Sequence, residues 1–427
     1  MKKLKSQALV TRAWYPWLVW GLAASAFLIE YFARVSPGVM VDQLMQAFQV
    51  QALALGSFSA FFYYAYVGMQ LPVGLLVDQF SSGRLLASMV LVCALGSAFF
   101  AFSTSVTMAA VARLIMGFGA AFAFVSALKL AAQWFPTQQF GFLAGLTQAL
   151  GMLGAAAAQA PLAILVQSMG WRPTMLLLAG AMGLLAVVMY IIVRDKPLSE
   201  KNAYPVTPAL LRMKASLKRV LQNPQNRWNA LFAGLLYAPT AALAELWGVK
   251  FYRQVYGFSN EMAALAISMI FVGWTIGGPL VGWLSDHFKR RRVILQLSAA
   301  LSLITMLVAL FVPSLPWPGL LSILLIYGLV NTGVATSYTV AAESNAAAIS
   351  GTAVAFTNMA SVLVGAAFQP LIGGILDATW HHRLEGGIPV YTPQAFKTAM
   401  MVLPICLLLA WIVSFRVKES YGHHTQV

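Results

Sequence analysis

Apolar runs of about 20 residues recur twelve times along this 427-residue chain, and each is long enough to cross the hydrocarbon core of a bilayer. A backbone that leaves water must satisfy its own hydrogen bonds, so such runs fold as helices. The expected spans are 15–40, 53–77, 84–104, 107–131, 139–168, 171–193, 228–252, 261–284, 293–312, 318–341, 350–376 and 396–416. Only 9% of the residues are charged, against about 25% in a soluble domain. The fold class is therefore all-α membrane, with twelve transmembrane helices and both termini on one side.

The net charge of +15 would suggest a nucleic-acid partner in a soluble protein. Its placement says otherwise. Of 27 Lys and Arg, nineteen fall at the terminal side, five on the opposite side and three within spans. That bias is the positive-inside signal, so the termini are expected in the cytoplasm of a multi-pass inner-membrane or plasma-membrane protein. Cys93 and Cys406 lie in apolar runs and read as packing residues, without a disulfide framework. The basic start before the first span imitates a signal peptide. The span is too long for that and carries Glu30 and Arg34, so it reads as a retained first helix.

The chain repeats itself at about half its length. Gly74-Leu75-Leu76-Val77-Asp78 ends helix 2, and Gly282-Trp283-Leu284-Ser285-Asp286 ends helix 8. Gly154 to Leu162 in helix 5 is echoed by Gly365 to Leu371 in helix 11. Parallel six-helix repeats are one way to build a central midplane site. The expected division is a bundle over 1–194, a cytoplasmic linker over 195–226 and a second bundle over 227–427. Leu210, Leu211, Met213, Leu217, Val220 and Leu221 recur among basic residues, which predicts an amphipathic helix in the linker. A plain tether is the competing reading.

With these features the whole chain resembles the major facilitator superfamily. The loop after helix 2 runs Gly74-x-x-x-Asp78 to Arg84, and its second copy runs Gly282 to Asp286, then Lys289-Arg290-Arg291-Arg292. Arg113-x-x-x-Gly117-x-Gly119 matches another motif of that family. The resemblance implies two pseudo-symmetric six-helix bundles that rock about a central site and act as a functional monomer. It also implies latches at the cytoplasmic helix ends. Asp78 would sit near Arg84, and Asp286 near Arg290, with Glu343 as an acidic partner. Gly74 and Gly282 are expected at close helix contacts. The competing reading of Glu343 is a solvated surface carboxylate.

Charges inside the spans are the candidate site, because a charge at bilayer depth is costly and is rarely kept without a role. Glu30 lies roughly 22 Å into helix 1 and Arg113 roughly 9 Å from the outer end of helix 4, at 1.5 Å rise per residue. In a core about 30 Å thick these depths match, so a Glu30–Arg113 pair is expected. Arg34 is one turn from Glu30, on the same face. It reads as a cation for a substrate carboxylate or as a local partner of Glu30. Tyr31-x-x-Arg34 also resembles the organophosphate and anion branch of the superfamily. That branch places a second Arg in helix 7, where this chain has Glu245 instead.

Glu245, followed by Trp247, is the candidate proton carrier, since a low dielectric disfavours a charged carboxylate. It can equally bind a substrate ammonium, or be tied to Lys250 at the helix end. Lys129 reads as a substrate contact or a snorkelling side chain. Uncharged candidates are Tyr63, Tyr64 and Tyr66, Gln148, Asn331, Asn358 and Gln369, each of which can instead be helix–helix glue. All five histidines fall in loops or the tail, which excludes a histidine proton relay.

No Gly-x-x-x-x-Gly-Lys-Ser/Thr and no metal-ligand spacing occur, so neither a cofactor nor an enzyme activity is expected. The Gly-Pro motif of drug-exporting antiporters is absent from helix 5. The mixed-sign cavity suits a zwitterion. The expected function is alternating-access transport of an amino acid or short peptide, by proton symport or by facilitated diffusion. An organic-anion carrier built on Arg34 and Lys129, a multidrug exporter and a non-transporting sensor are the alternatives. The expected partners are a small-molecule substrate, protons and the lipid bilayer, without nucleic acid.

Overall fold

The computed structural model describes residues 13–195, 206–312 and 315–421. The basic N-terminal residues and the first part of the expected linker, including Pro197 and Pro205, lie outside them. Among the described residues, twelve helices are long and apolar enough to cross a membrane: α1 Tyr15–Val39, α2 Ala52–Gln79, α3 Ser82–Ala101, α4 Val106–Trp134, α5 Gln138–Met169, α6 Trp171–Ile192, α7 Pro224–Tyr256, α8 Asn260–Phe288, α9 Arg291–Phe311, α10 Trp317–Glu343, α11 Ile349–Ala378 and α12 Pro393–Ser414. They form two six-helix bundles. A further helix, Val206–Gln222, lies between them in sequence, and its Val220 packs against Ala341 and Ala353 of the second bundle.

Local chemistry shapes several helices. Pro37 inside α1 has no N–H, which frees the carbonyl of Ala33 one turn earlier. Pro161 clashes with the preceding turn of α5, and the helix breaks at Ala158–Gln159. α7 contains Pro239 and then a π-helical segment, Leu243–Trp247. Such segments are rare and concentrate at functional sites. Carboxylates cap two mate helices from their own bundle. Just after α6, Asp195 accepts the Gly83 N–H at the start of α3, at 3.0 Å. Beyond α12, Glu419 accepts the N–H groups of Arg291 and Arg292 at the start of α9, at 2.6 and 3.0 Å. Each carboxylate satisfies orphan donors and faces the positive end of the helix dipole.

Glycine lets backbones touch within each bundle. A Cβ at Gly117 of α4 would lie 2.0 Å from the Phe62 carbonyl of α2. At the equivalent place in the second bundle, a Cβ at Gly328 of α10 would lie 2.0 Å from the Ile270 carbonyl of α8. Gly74 and Gly282, expected at close contacts, face open space within 4 Å. They lie at helix ends that do not meet here. Gly117→Val is therefore expected to cost about 1–3 kcal/mol or more by overpacking, while Gly74→Ala is close to neutral. The melting temperatures of the two purified variants check this contrast.

The bundles meet closely at one end. At the far end, away from the linker, a Cβ at Gly38 would lie 2.9 Å from the Glu245 carbonyl, one at Gly56 2.5 Å from the Gln369 carbonyl, and one at Gly373 2.4 Å from the Ala52 carbonyl. At the linker end, a Cβ at Gly74, Gly145, Gly278 or Gly351 would meet nothing within 4 Å. These glycines lie on α2, α5, α8 and α11, the helices along which the bundles face each other.

Candidate functional site

Four charges are buried where the bundles face each other. Glu30, Arg34, Arg113 and Glu245 are each at most 3% exposed. Glu30 and Arg34 sit one turn apart on α1, and Arg34 reaches back with Nε and Nη2 to a single oxygen, Glu30 Oε1, at 3.0 and 2.9 Å. The other oxygen, Oε2, has no hydrogen-bond partner among the described residues. The guanidinium carbon of Arg34 lies 4.5 Å from the Tyr31 ring centre, 4.7 Å from Tyr66, 5.7 Å from Phe62 and 6.0 Å from Tyr63. Desolvated cation–π contacts of this kind are worth about 2 kcal/mol or more, and because the rings carry no net charge they hold the cation without neutralising it.

The expected Glu30–Arg113 pair does not form. Arg113 donates instead to backbone carbonyls: Nη1 to Ala33 at 2.6 Å, and Nη2 to Arg34 at 3.1 Å and Ser59 at 3.5 Å. The cause is Pro37. The Ala33 carbonyl it frees is a strong buried acceptor, and it takes the guanidinium that depth alone assigned to Glu30. Arg113 thereby ties α4 to α1, one turn before Pro37, and to α2.

Glu245 lies in the π segment of α7. Its Oε2 accepts from the Tyr63 hydroxyl of α2, and its Oε1 from the Tyr237 hydroxyl, two turns earlier on α7, at 2.8 Å. Both donors are neutral, and no ion pair to Glu245 occurs among the described residues. The possible tie to Lys250 is absent, because Lys250 goes to Asp42 at 2.7 Å. Two glutamines hold the distorted segment from opposite bundles. Gln159 of α5 donates to the Ala244 carbonyl and Gln369 of α11 to the Ala241 carbonyl, each at 3.1 Å. Trp247 donates its indole N–H to the Gln369 carbonyl at 2.9 Å. Gln159 and Gln369 are the equivalent residues of the helix 5 and helix 11 echo.

Toward the linker end the charges are covered by a polar chain. Asn358 of α11 donates to Gln70 Oε1 of α2 and accepts from the Tyr338 hydroxyl of α10, both at 3.2 Å. Asn331 instead ties helices together, through Thr240 at 2.9 Å, the Leu236 carbonyl at 3.0 Å and Ser302 at 3.3 Å. Gln148 is half-buried on α5 and makes no side-chain hydrogen bond among the described residues. Two apolar grooves open on the bundle surface, of about 440 and 370 Å³, and neither is lined by any of the four charges.

The motif residues at the linker end pair differently from expectation. Lys129 pairs with Asp78 at the linker-side helix ends. Arg84 makes no ion pair among the described residues. Arg291, not Arg290, bonds Asp286 at 2.7 Å and Glu343 at 2.9 Å. Arg291 opens α9 and is buried, whereas Arg290 just before it is exposed. Glu343 is thus a buried ion-pair partner and not a solvated carboxylate. Each of these pairs lies within its own bundle.

At the far end the contacts cross between bundles. Asp42, in the short helix Val41–Phe48 after α1, pairs with Lys250 and Arg253 of α7. Burial alone would raise the Asp42 carboxyl, but the two cations outweigh it and hold the group below its ordinary value. A depressed carboxylate pKa contributes stability above the unfolded value and loses it as pH falls through the folded one. This clasp therefore persists at neutral pH and loosens only in acid, below about pH 4.

A family model described as the Major Facilitator Superfamily matches residues 23–370. A probable sulfoacetate transporter, SauU of Cupriavidus necator, is 23% identical over 290 residues, 66% of this chain and 67% of its own length. A probable L-galactonate transporter of Escherichia coli is 24% identical over 393 residues, 84% of this chain and 83% of its own length. Among solved structures, a bacterial homolog of the human lysosomal transporter Spinster, in an inward-facing and occupied conformation, superposes with a TM-score of 0.79 at 15% identity, covering 97% of this chain and all of that one.

Proposed function

The chain belongs to the Major Facilitator Superfamily, and from that premise we propose that it carries small organic anions across the cytoplasmic membrane, with Arg34 as the anion-binding cation. It is a membrane transporter of small organic substrates and not an enzyme. The observation that carries the anion reading is Arg34 itself. It is buried and ringed by aromatic faces, and Glu30 takes its Nε and Nη2 with a single oxygen, so the remaining edge of the guanidinium, through Nη1, is the part offered to a carboxylate or sulfonate. The two relatives named above, for sulfoacetate and L-galactonate, handle anions of this class by their names. Amino acids and short peptides, the class first expected from the mixed-sign cavity, have no such support.

The bundles touch closely at the far end and the linker-end glycines have open space beside them, so with the termini and linker in the cytoplasm we read this conformation as facing inward. Alternating access then consists of closing that end and opening the far one about Arg34 and Glu245. The charge balance suggests proton coupling. Arg34 and Arg113 offset Glu30 and Glu245 when both carboxylates are ionised, so a monoanion enters without excess charge if one proton accompanies it. Glu245, held by neutral donors alone, is the group to carry that proton. An amine-bearing anion would satisfy the same balance, and Glu245 would then hold its ammonium.

A thermal-shift panel on the purified protein tests the reading. Simple carboxylates and sulfonates are expected to stabilise it, by about 2.7 kcal/mol at 100 times the dissociation constant. Stabilisation by amino acids or dipeptides alone would replace the anion reading with the zwitterion one.

A further inference from the structure

The start of α2 is capped from the other bundle. Gln51, the residue before α2, makes no side-chain cap. The first amides of α2 instead donate to Asp377 at the end of α11. Ala52 N–H reaches Asp377 Oδ1 at 3.0 Å, and Leu53 N–H reaches Oδ2 at 2.8 Å. Tyr391, 1% exposed, secures the carboxylate: its hydroxyl donates to Asp377 Oδ1 at 2.5 Å and accepts from Ala52 N–H at 3.1 Å. Burial and the bond to Asp377 push the Tyr391 phenol up, so it stays a donor. The ammonium of Lys250 lies 5.7 Å from the Tyr391 ring centre, which joins this cap to the Asp42 clasp.

Other helix starts are supplied within their own bundle. α3 is capped by Ser81 and Asp195, α9 by Glu419, and α8, the mate of α2, by Ser259 just before it. Those caps survive any rigid rotation of one bundle against the other. The cap on α2 does not, because donors and acceptor belong to opposite bundles. α2 also carries Tyr63 and Tyr66, which contact Glu245 and Arg34.

We propose that Asp377 is the gate residue of the far face and a positioning residue for the central site: its carboxylate, seated on the N-terminus of α2, locks the far end closed and must leave that helix before the far end opens. While seated, it holds α2 in the register that brings Tyr63 to Glu245. The inference does not depend on which substrate is carried.

The test is a distance measurement by pulsed electron resonance. Spin labels are placed at the exposed far-end positions Gln51 and His381, in a full-length background with Cys93 and Cys406 replaced by alanine. The parent is expected to give one short distance. Asp377→Ala is expected to add a longer one, raising the far-open fraction about tenfold, the scale of a lost helix cap. Asp377→Asn, which keeps one acceptor oxygen, should fall between. If Asp377→Ala does not fold, Asp377→Asn and Tyr391→Phe carry the test, since Tyr391→Phe removes only the hydroxyl. An unchanged short distance in every folded variant overturns the proposal. A longer distance in any of them, at a far end that otherwise stays folded, supports it.

Discussion

Arg34→Ala is expected to abolish binding of carboxylates and sulfonates, with an affinity loss of at least about 100-fold, the scale of one desolvated charge-assisted pair. Two effects must be separated. In the proposed reading the guanidinium is the buried cation presented to the anion. It is also the only ion-pair partner of Glu30 among the described residues. Removing one member of a buried pair costs about 3–5 kcal/mol, because the other charge is left uncompensated. The single variant is therefore expected to be poorly stable as well as inactive. Glu30→Gln with Arg34→Ala removes both charges and restores much of the stability, so it is the variant in which binding should be measured. Arg34→Lys keeps the charge and loses the planar fork, and is expected to bind about 10-fold or more weakly. Titration calorimetry with a simple carboxylate and a simple sulfonate reads all three. Parental affinity in the stable double variant would reduce Arg34 to a structural partner of Glu30.

The spans and their order were legible because a bilayer imposes one strong rule, a helix of sufficient apolar length, on each segment separately. The local partner was legible in the same way: Arg34 four residues after Glu30 shares its face whatever the tertiary structure does. The Glu30–Arg113 pair failed because depth gives a coordinate along the bilayer normal but not a rotation about the helix axis. The missing signal was in the sequence, in Pro37, four residues after Ala33, which leaves a carbonyl seeking a donor. Arg291 was missed for Arg290 by one position, or 100° around a helix. Lys129 was read for its depth, while its long stem delivers the ammonium to Asp78 at the helix end. Asp42 and Asp377 drew no attention because they lie at or beyond the ends of spans, where a carboxylate is ordinary. Their importance comes from the opposite bundle, which no local pattern encodes.

Glu245→Gln is expected to abolish uptake driven by a proton gradient while leaving exchange of labelled for unlabelled substrate near the parental rate. The reasoning starts from the neutral donors. Tyr63 and Tyr237 bond the two oxygens of Glu245, and the charges that act on it electrostatically are Arg34, Arg113 and Glu30, with Arg34 already held by Glu30. A carboxylate placed so can take a proton without breaking an ion pair. Glutamine imitates the protonated form: it keeps one carbonyl acceptor and carries no charge. With that charge fixed at zero the loaded carrier can still cross between its two faces, which is all that exchange requires. What it cannot do is return empty with Glu245 deprotonated, the step that ties net flux to the gradient. Reconstituted vesicles with an imposed pH difference, assayed for net uptake and for counterflow, measure both quantities. If net uptake in the variant keeps the parental pH dependence, Glu245 is not the proton carrier. If exchange is lost too, and only for anions that bear an amine, the carboxylate was holding a substrate ammonium, and the charge balance of the site is completed by the substrate itself.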